Sequence, residues 1–172
     1  MKILKIFKAA TILMMVLFAT AIYAQPNNGK NIPETVVDAL KQKYPAAELS
    51  GWKVSNDVYV AKIRLDGKKY FATFDANGNW VNTVSKVSWS WDLPKNVNAA
   101  FKNSGYQSWN IYDIHQVAKP SGLYYQLTVN NANSTEIANS AGHFATERQI
   151  EFNANGALTS TRELTYDAID GH

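Results

Sequence analysis

The chain has 172 residues, 46% of them hydrophobic and 18% charged, with no cysteine and a formal net charge of +3. Without cysteine the fold must hold by burial rather than by disulfides, and lipid attachment through a thiol is excluded. Three of the 17 basic residues, Lys2, Lys5 and Lys8, stand in the first stretch, so the remainder carries 14 against 14 acidic ones, and nothing global points to nucleic acid or an acidic membrane surface.

Residues 1–24 read as a secretory signal peptide. The basic start is followed by an apolar run from Ala9 to Ile22 and by small residues at Ala19, Ala21 and Ala24. The run is about 14 residues, short of the roughly 20 that span a bilayer. Cleavage fits after Ala21 or Ala24, and the expected mature product is periplasmic or secreted, with no membrane contact once the leader is removed. Residues 25–31 are a linker.

The rest of the chain shows internal similarity. Ile32-Pro33-Glu34-Thr35-Val36-Val37-Asp38-Ala39-Leu40 resembles Leu93-Pro94-Lys95-Asn96-Val97-Asn98-Ala99-Ala100-Phe101, and Phe74-Asp75-Ala76-Asn77-Gly78 resembles Phe152-Asn153-Ala154-Asn155-Gly156. The first match is offset by 61 residues and the second by 78, so the second copy holds extra residues, placed in an Asn/Ser/Ala-rich loop at 131–143. Each copy opens with a helix. Proline sits at its first position, and the buried stripes are Val36, Val37, Leu40 and Val97, Ala100, Phe101. Tyr44-Pro45 and Ser104-Gly105 stop these helices.

Strands follow each helix. In the first copy they are Gly51–Ser55, Val58–Leu65, Lys68–Phe74 and Trp80–Trp91, turned by Asn56-Asp57, Asp66-Gly67 and Asn77-Gly78. In the second they are Trp109–Val117, Leu123–Asn130, Thr146–Asn153 and Leu158–Thr165. The expected fold is α+β: two tandem units, 32–91 and 92–166, each a helix packed on its own four-stranded antiparallel meander, with a tail at 167–172.

Two-residue turns at Asp66-Gly67 and Asn77-Gly78 set the faces. Tyr59, Ala61, Ile63, Leu65, Tyr70, Ala72, Phe74, Val81 and Val87 share an apolar face that should carry the helix. Val58, Val60, Lys62, Arg64, Lys69, Phe71, Thr73, Trp80, Asn82, Val84 and Lys86 share the other. Cations beside large aromatics on an uncovered sheet have the composition of a recognition surface. The candidate partner-binding residues are Lys62, Arg64, Lys69, Phe71, Trp80, Val84 and Lys86. Lysine stems also cover ordinary strand surface, and the two units could bury these faces against each other. Trp89 and Trp91 are expected to continue the strand and to pack on the helix side or at the seam.

Catalytic and metal constellations are not found. There is no Gly-x-Ser-x-Gly elbow and no Gly-rich phosphate loop, and His115, His143 and His172 lack metal-ligand spacing. Asp75–Asn79 lacks the ligand spacing of a calcium loop. No enzyme activity, cofactor or metal is expected.

The carrying segments are Ile32-Pro33 to Tyr44-Pro45, Tyr59–Leu65 and Phe74–Trp80, with their echoes Leu93-Pro94 to Tyr106, Tyr124–Val129 and Phe152–Leu158. Together they resemble the PepSY-like, beta-lactamase-inhibitor-like family of exported bacterial proteins. The resemblance implies helices on one side of antiparallel sheets, a concave sheet surface, and a role in protein binding or inhibition. It does not imply beta-lactamase as the target. The expected function is recognition, inhibition or regulation of another envelope protein through the open sheet face. The alternative is a small-ligand or glycan binder that stacks its ligand on Trp80, Phe71, Trp89 or Trp91.

Overall fold

The computed structural model describes residues 32–131 and 146–164. The expected leader, linker and tail, most of the expected long loop, His143 and His172 lie outside these residues. Helix α1 spans Glu34–Lys43 and α2 spans Lys95–Lys102. The two prolines stand one position earlier than expected, just before the first turn, with φ already helical at −56° and −53°. Their carbonyls accept from the amides of Val36, Val37 and Asn98. The strands are β1 Glu48–Ser55, β2 Val58–Leu65, β3 Lys68–Asp75, β4 Trp80–Lys86, β5 Asn110–Lys119, β6 Gly122–Asn130, β7 Glu147–Asn153 and β8 Leu158–Leu164.

The expected pair of tandem units, each with a separate four-stranded sheet, does not form. All eight strands make one antiparallel meander in chain order. The join is β4 with β5, where Thr83, Val84, Ser85 and Lys86 oppose Ala118, Val117, Gln116 and His115. Two separate meanders would leave both of these strands as edges with unpaired amides and carbonyls, and pairing satisfies both rows at once.

The register across this join places both helices on the same side. One core cluster joins Val36, Val37 and Leu40 of α1 to Tyr59, Ala61, Ile63, Ala72 and Phe74. The other joins Val97 and Phe101 of α2 to Ile114, Tyr125, Leu127, Ile150 and Phe152. The helix–loop contact recurs in the two halves. A methyl group built on Gly78 would lie 2.7 Å from the Thr35 carbonyl oxygen, and one on Gly156 would lie 2.6 Å from that of Asn96. Both glycines have positive φ, +82° and +86°. Their loops are also alike. Asp75 Oδ1 accepts from the amides of Asn77 and Asn79, and Asn153 Oδ1 accepts from those of Asn155 and Ala157.

The Asp66-Gly67 register holds as expected, with Ile63 opposite Tyr70 and Ala61 opposite Ala72. The loop at Asn77-Gly78 differs. Residues 76–79 form a longer connection, closed by the Asp75 amide on the Asn79 carbonyl at 3.0 Å. A bulge follows, so Phe74 opposes Trp80 rather than Val81. Val81 is exposed and is not a core residue. The strand expected to run through Trp91 ends at Lys86. The chain then turns through a short 3-10 segment at Ser90–Asp92. Trp89 and Trp91 stack on each other there with 4.9 Å between ring centroids, 57% and 70% exposed, rather than packing into a seam.

Candidate functional site

The sheet face opposite the helices gathers most of the residues picked out from sequence. Opposed residues share a face, so one row runs Lys62, Phe71, Val84, Val117, Tyr124 and Asn153 across six strands. The next row runs Lys86, His115, Gln126, Glu151 and Ser160. Arg64 opposes Lys69 at its cationic end. Lys62, Arg64, Lys69, Phe71, Val84 and Lys86 therefore stand together on one face.

Trp80 stands apart from them. The bulge at Phe74 turns it to the helix side, where it packs against the first core cluster. Its Nε1 donates to Thr83 Oγ1 at 2.9 Å, and Lys43 Nζ lies 3.4 Å from its ring centroid. Thr83 is buried, and its hydroxyl also lies 2.6 Å from the Tyr44 hydroxyl. Burial pushes the Tyr44 phenol above its ordinary range, against a smaller lowering by Thr83. Trp80 thus ties the end of α1 to β4.

The two halves of the helix-free face differ in charge. On the β5–β8 half most charges are paired, the exception among cations being exposed Arg162, which donates to Gln149 Oε1 at 3.3 Å. Lys86 Nζ lies 3.1 Å from Asp113 Oδ1, and His115 Nδ1 lies 3.2 Å from Asp113 Oδ2. Glu151 is buried and receives Lys119 Nζ at 2.6 Å, Gln126 Nε2 at 2.8 Å and Thr159 Oγ1 at 3.0 Å. Burial alone would raise the Glu151 carboxyl, but these hydrogen bonds outweigh it and hold the group below its ordinary value. Lys119 also lies 4.4 Å from the Tyr124 ring centroid. On the β2–β4 half, Lys62, Arg64 and Lys69 are exposed, and none has an ion-pair partner among the described residues.

Between cations and neutral pairs runs an apolar strip. Phe71 is 42% exposed, Val84 is half-buried, and Val117 is buried at 2% although no helix lies on its side. Sequence reasoning missed Asp113, His115 and Lys119 as members of this face. The signal is present in the alternation Asp113, His115, Val117, Lys119, but the strand runs two residues past Val117 and alternation alone does not pair it with β4. Among the described residues no group of three or more His, Cys, Asp or Glu could hold a metal ion. No helix among them is long and apolar enough to cross a membrane.

The family model described as "Putative beta-lactamase-inhibitor-like, PepSY-like" matches residues 57–142, half of the chain. No curated protein matches the sequence. Among solved structures, a DUF2874 family protein from Bacteroides uniformis is 27% identical with a TM-score of 0.64, the match covering 78% of this chain and 91% of that one. A BLIP-like protein from Bacteroides fragilis is 26% identical with a TM-score of 0.67, covering 80% and 90%. A DUF2874 family protein from Bacteroides ovatus, at 23% identity and a TM-score of 0.67, covers 82% and 95% and shares the fold.

Proposed function

The chain belongs to the PepSY-like, beta-lactamase-inhibitor-like family, and on that premise we propose that it is an exported, non-enzymatic protein-binding module that docks an acidic partner surface on its helix-free sheet face. The leader pattern of residues 1–24 supports export to the periplasm or beyond. The carrying observation is the group of three exposed cations without ion-pair partners among the described residues, Lys62, Arg64 and Lys69, set around exposed Phe71. Such cations give up no internal pairing when a partner's carboxylates meet them. They also steer encounter, while the strip of Phe71 and Val84 supplies apolar burial at about 25 cal/mol per Å². Lys86 belongs to the same face, but its charge is committed to Asp113. Trp80 lies on the opposite side and is left out of the docking surface.

The test compares the wild-type mature chain with a Lys62→Glu/Arg64→Glu/Lys69→Glu variant in affinity capture from envelope extract. A species lost by the variant is then purified and titrated against both chains over a range of salt. The expected result is a complex that weakens with salt and with charge reversal while the thermal unfolding of the variant stays unchanged. Retention of every captured species by the variant would sink the assignment to this face.

A further inference from the structure

The Trp89–Trp91 pair is not used by the proposed docking face, although the cavity that borders both rings reaches Lys86 and Asp113 of that face. Two large aromatic rings left this exposed lose the burial that usually accounts for tryptophan in a fold. They stack on each other, 9° from parallel, and so form one joined aromatic plate. The 3-10 segment Ser90–Asp92 carries the plate, and Asn98 Nδ2 of α2 donates to the Ser90 carbonyl at 3.4 Å.

A cavity of about 380 Å³ borders Trp91 but not Trp89, and is lined otherwise by Leu93 and Phe101 below and Asn98, Lys102 and Gln107 at the rim. A second cavity of about 260 Å³ borders both tryptophans, and Ile111 lines the two. The first is of the size that takes small molecules. Its chemistry is an aromatic face, a small apolar floor and neutral amides that can each donate and accept. A pyranose ring presents the complementary surface: one face of C–H bonds for the π-system and an edge of hydroxyls for the amides. The absence of a carboxylate from this lining and the presence of one cation fit a neutral or acidic sugar and disfavour a basic ligand.

We propose that this cleft is a saccharide-binding site. The Trp91 indole stacks on the sugar ring, Asn98 and Gln107 take its hydroxyls, and Trp89 backs the platform.

The test is a glycan array probed with the full mature chain, followed by titration of each hit by indole NMR. The variants are Trp91→Ala, Trp91→Phe, Gln107→Ala and Asn98→Ala/Gln107→Ala. Expected is binding to at least one glycan class, weakened about tenfold by loss of the stacking ring and partly restored by phenylalanine. The Asn98/Gln107 variant should weaken binding, and Gln107→Ala alone, which keeps the Asn98 bond to the Ser90 carbonyl, should weaken it while Trp91 stays unaltered. An array with no signal overturns the proposal, and so does glycan binding indifferent to Trp91→Ala. A protein captured through Trp91 with a blank array makes the plate a protein contact and overturns it as well. The cations at Lys62, Arg64 and Lys69 serve as control, since their reversal should leave glycan binding intact.

Discussion

Replacing Gly78 with alanine should be among the most damaging single-methyl changes in the protein, and Gly67 supplies its internal control. Both glycines have positive φ, +75° at Gly67 and +82° at Gly78. A left-handed conformation costs an L-residue about 1–2 kcal/mol. At Gly67 a methyl group meets nothing within 4 Å, so strain is the whole expected cost. At Gly78 the methyl would also stand 2.7 Å from the Thr35 carbonyl oxygen and 3.4 Å from Ala39 Cβ, which forces α1 off the loop. Overpacking of this kind adds about 1–3 kcal/mol. Gly67→Ala should therefore cost about 1–2 kcal/mol and Gly78→Ala about 2–5 kcal/mol, a large share of a domain's total of about 5–15 kcal/mol. Gly156→Ala should match Gly78→Ala, because Asn96 O and Ala100 Cβ reproduce the same distances to within 0.1 Å. Urea unfolding followed by tryptophan fluorescence and by far-UV circular dichroism measures all three. Because the eight strands form one sheet, each variant should shift a single coincident transition. A Gly78→Ala variant no less stable than Gly67→Ala would show that the close approach of α1 is unimportant. Two separated transitions would contradict a sheet that unfolds as one.

Thr83→Val should cost about 1–3 kcal/mol, because it removes the oxygen that serves both Tyr44 and Trp80 and leaves the partly buried Trp80 Nε1 and Tyr44 hydroxyl without this partner; adding Tyr44→Phe and Trp80→Phe should recover part of that loss, and a neutral Thr83→Val would refute the coupling. Glu151 has a folded-state pKa held below its ordinary value of 4.5, so its contribution is present above that value and lost as pH falls through the lower folded value. Glu151→Gln should therefore cost about 1–3 kcal/mol at neutral pH and little in acid, read from urea midpoints over a pH series, and a pH-independent difference would sink the assignment. The triple charge reversal at Lys62, Arg64 and Lys69 should move the melting temperature little, since no ion pair among the described residues is lost; a drop comparable with that of Gly78→Ala would mean that these cations serve the fold.

Local features were legible because short-range chemistry decides them. Pro33 and Pro94 pre-set helical φ, Asp66-Gly67 forces a tight turn, and the alternation from Tyr59 to Leu65 sorts core from surface. Trp80 was misplaced because parity along a strand depends on the residue count of the preceding loop. The Asp75 side chain closes a longer loop than Asn77-Gly78 alone suggests, and one bulge moves a side chain across the sheet. Trp89 and Trp91 looked like strand residues by alternation. The ladder gives out beyond the Val87 amide, which donates to the Ile114 carbonyl at 2.9 Å, and the next turn bonds are local.

The pairing of β4 with β5 was illegible for a different reason. Both strands carry ordinary patterns, and nothing in either sequence names the other as its neighbour. The physical pressure comes from edges: two unpaired rows of amides and carbonyls cost more apart than together. That same pairing makes the proposed docking face. Val84 would be an edge residue in a separate four-stranded unit. Joined to Val117, it becomes the middle of the row from Lys62 through Phe71 to Tyr124. The join also brings Asp113 to Lys86 and so neutralises one of the cations picked out from sequence. Among the described residues, Lys62, Arg64 and Lys69 thereby form the main group of unpaired cations beside the apolar strip, with Lys53 on β1 at the same end and Arg162 alone on β8. A partner with carboxylates beside an apolar patch would meet this face in one orientation, with its acidic edge over β2 and β3 and its apolar centre over the seam.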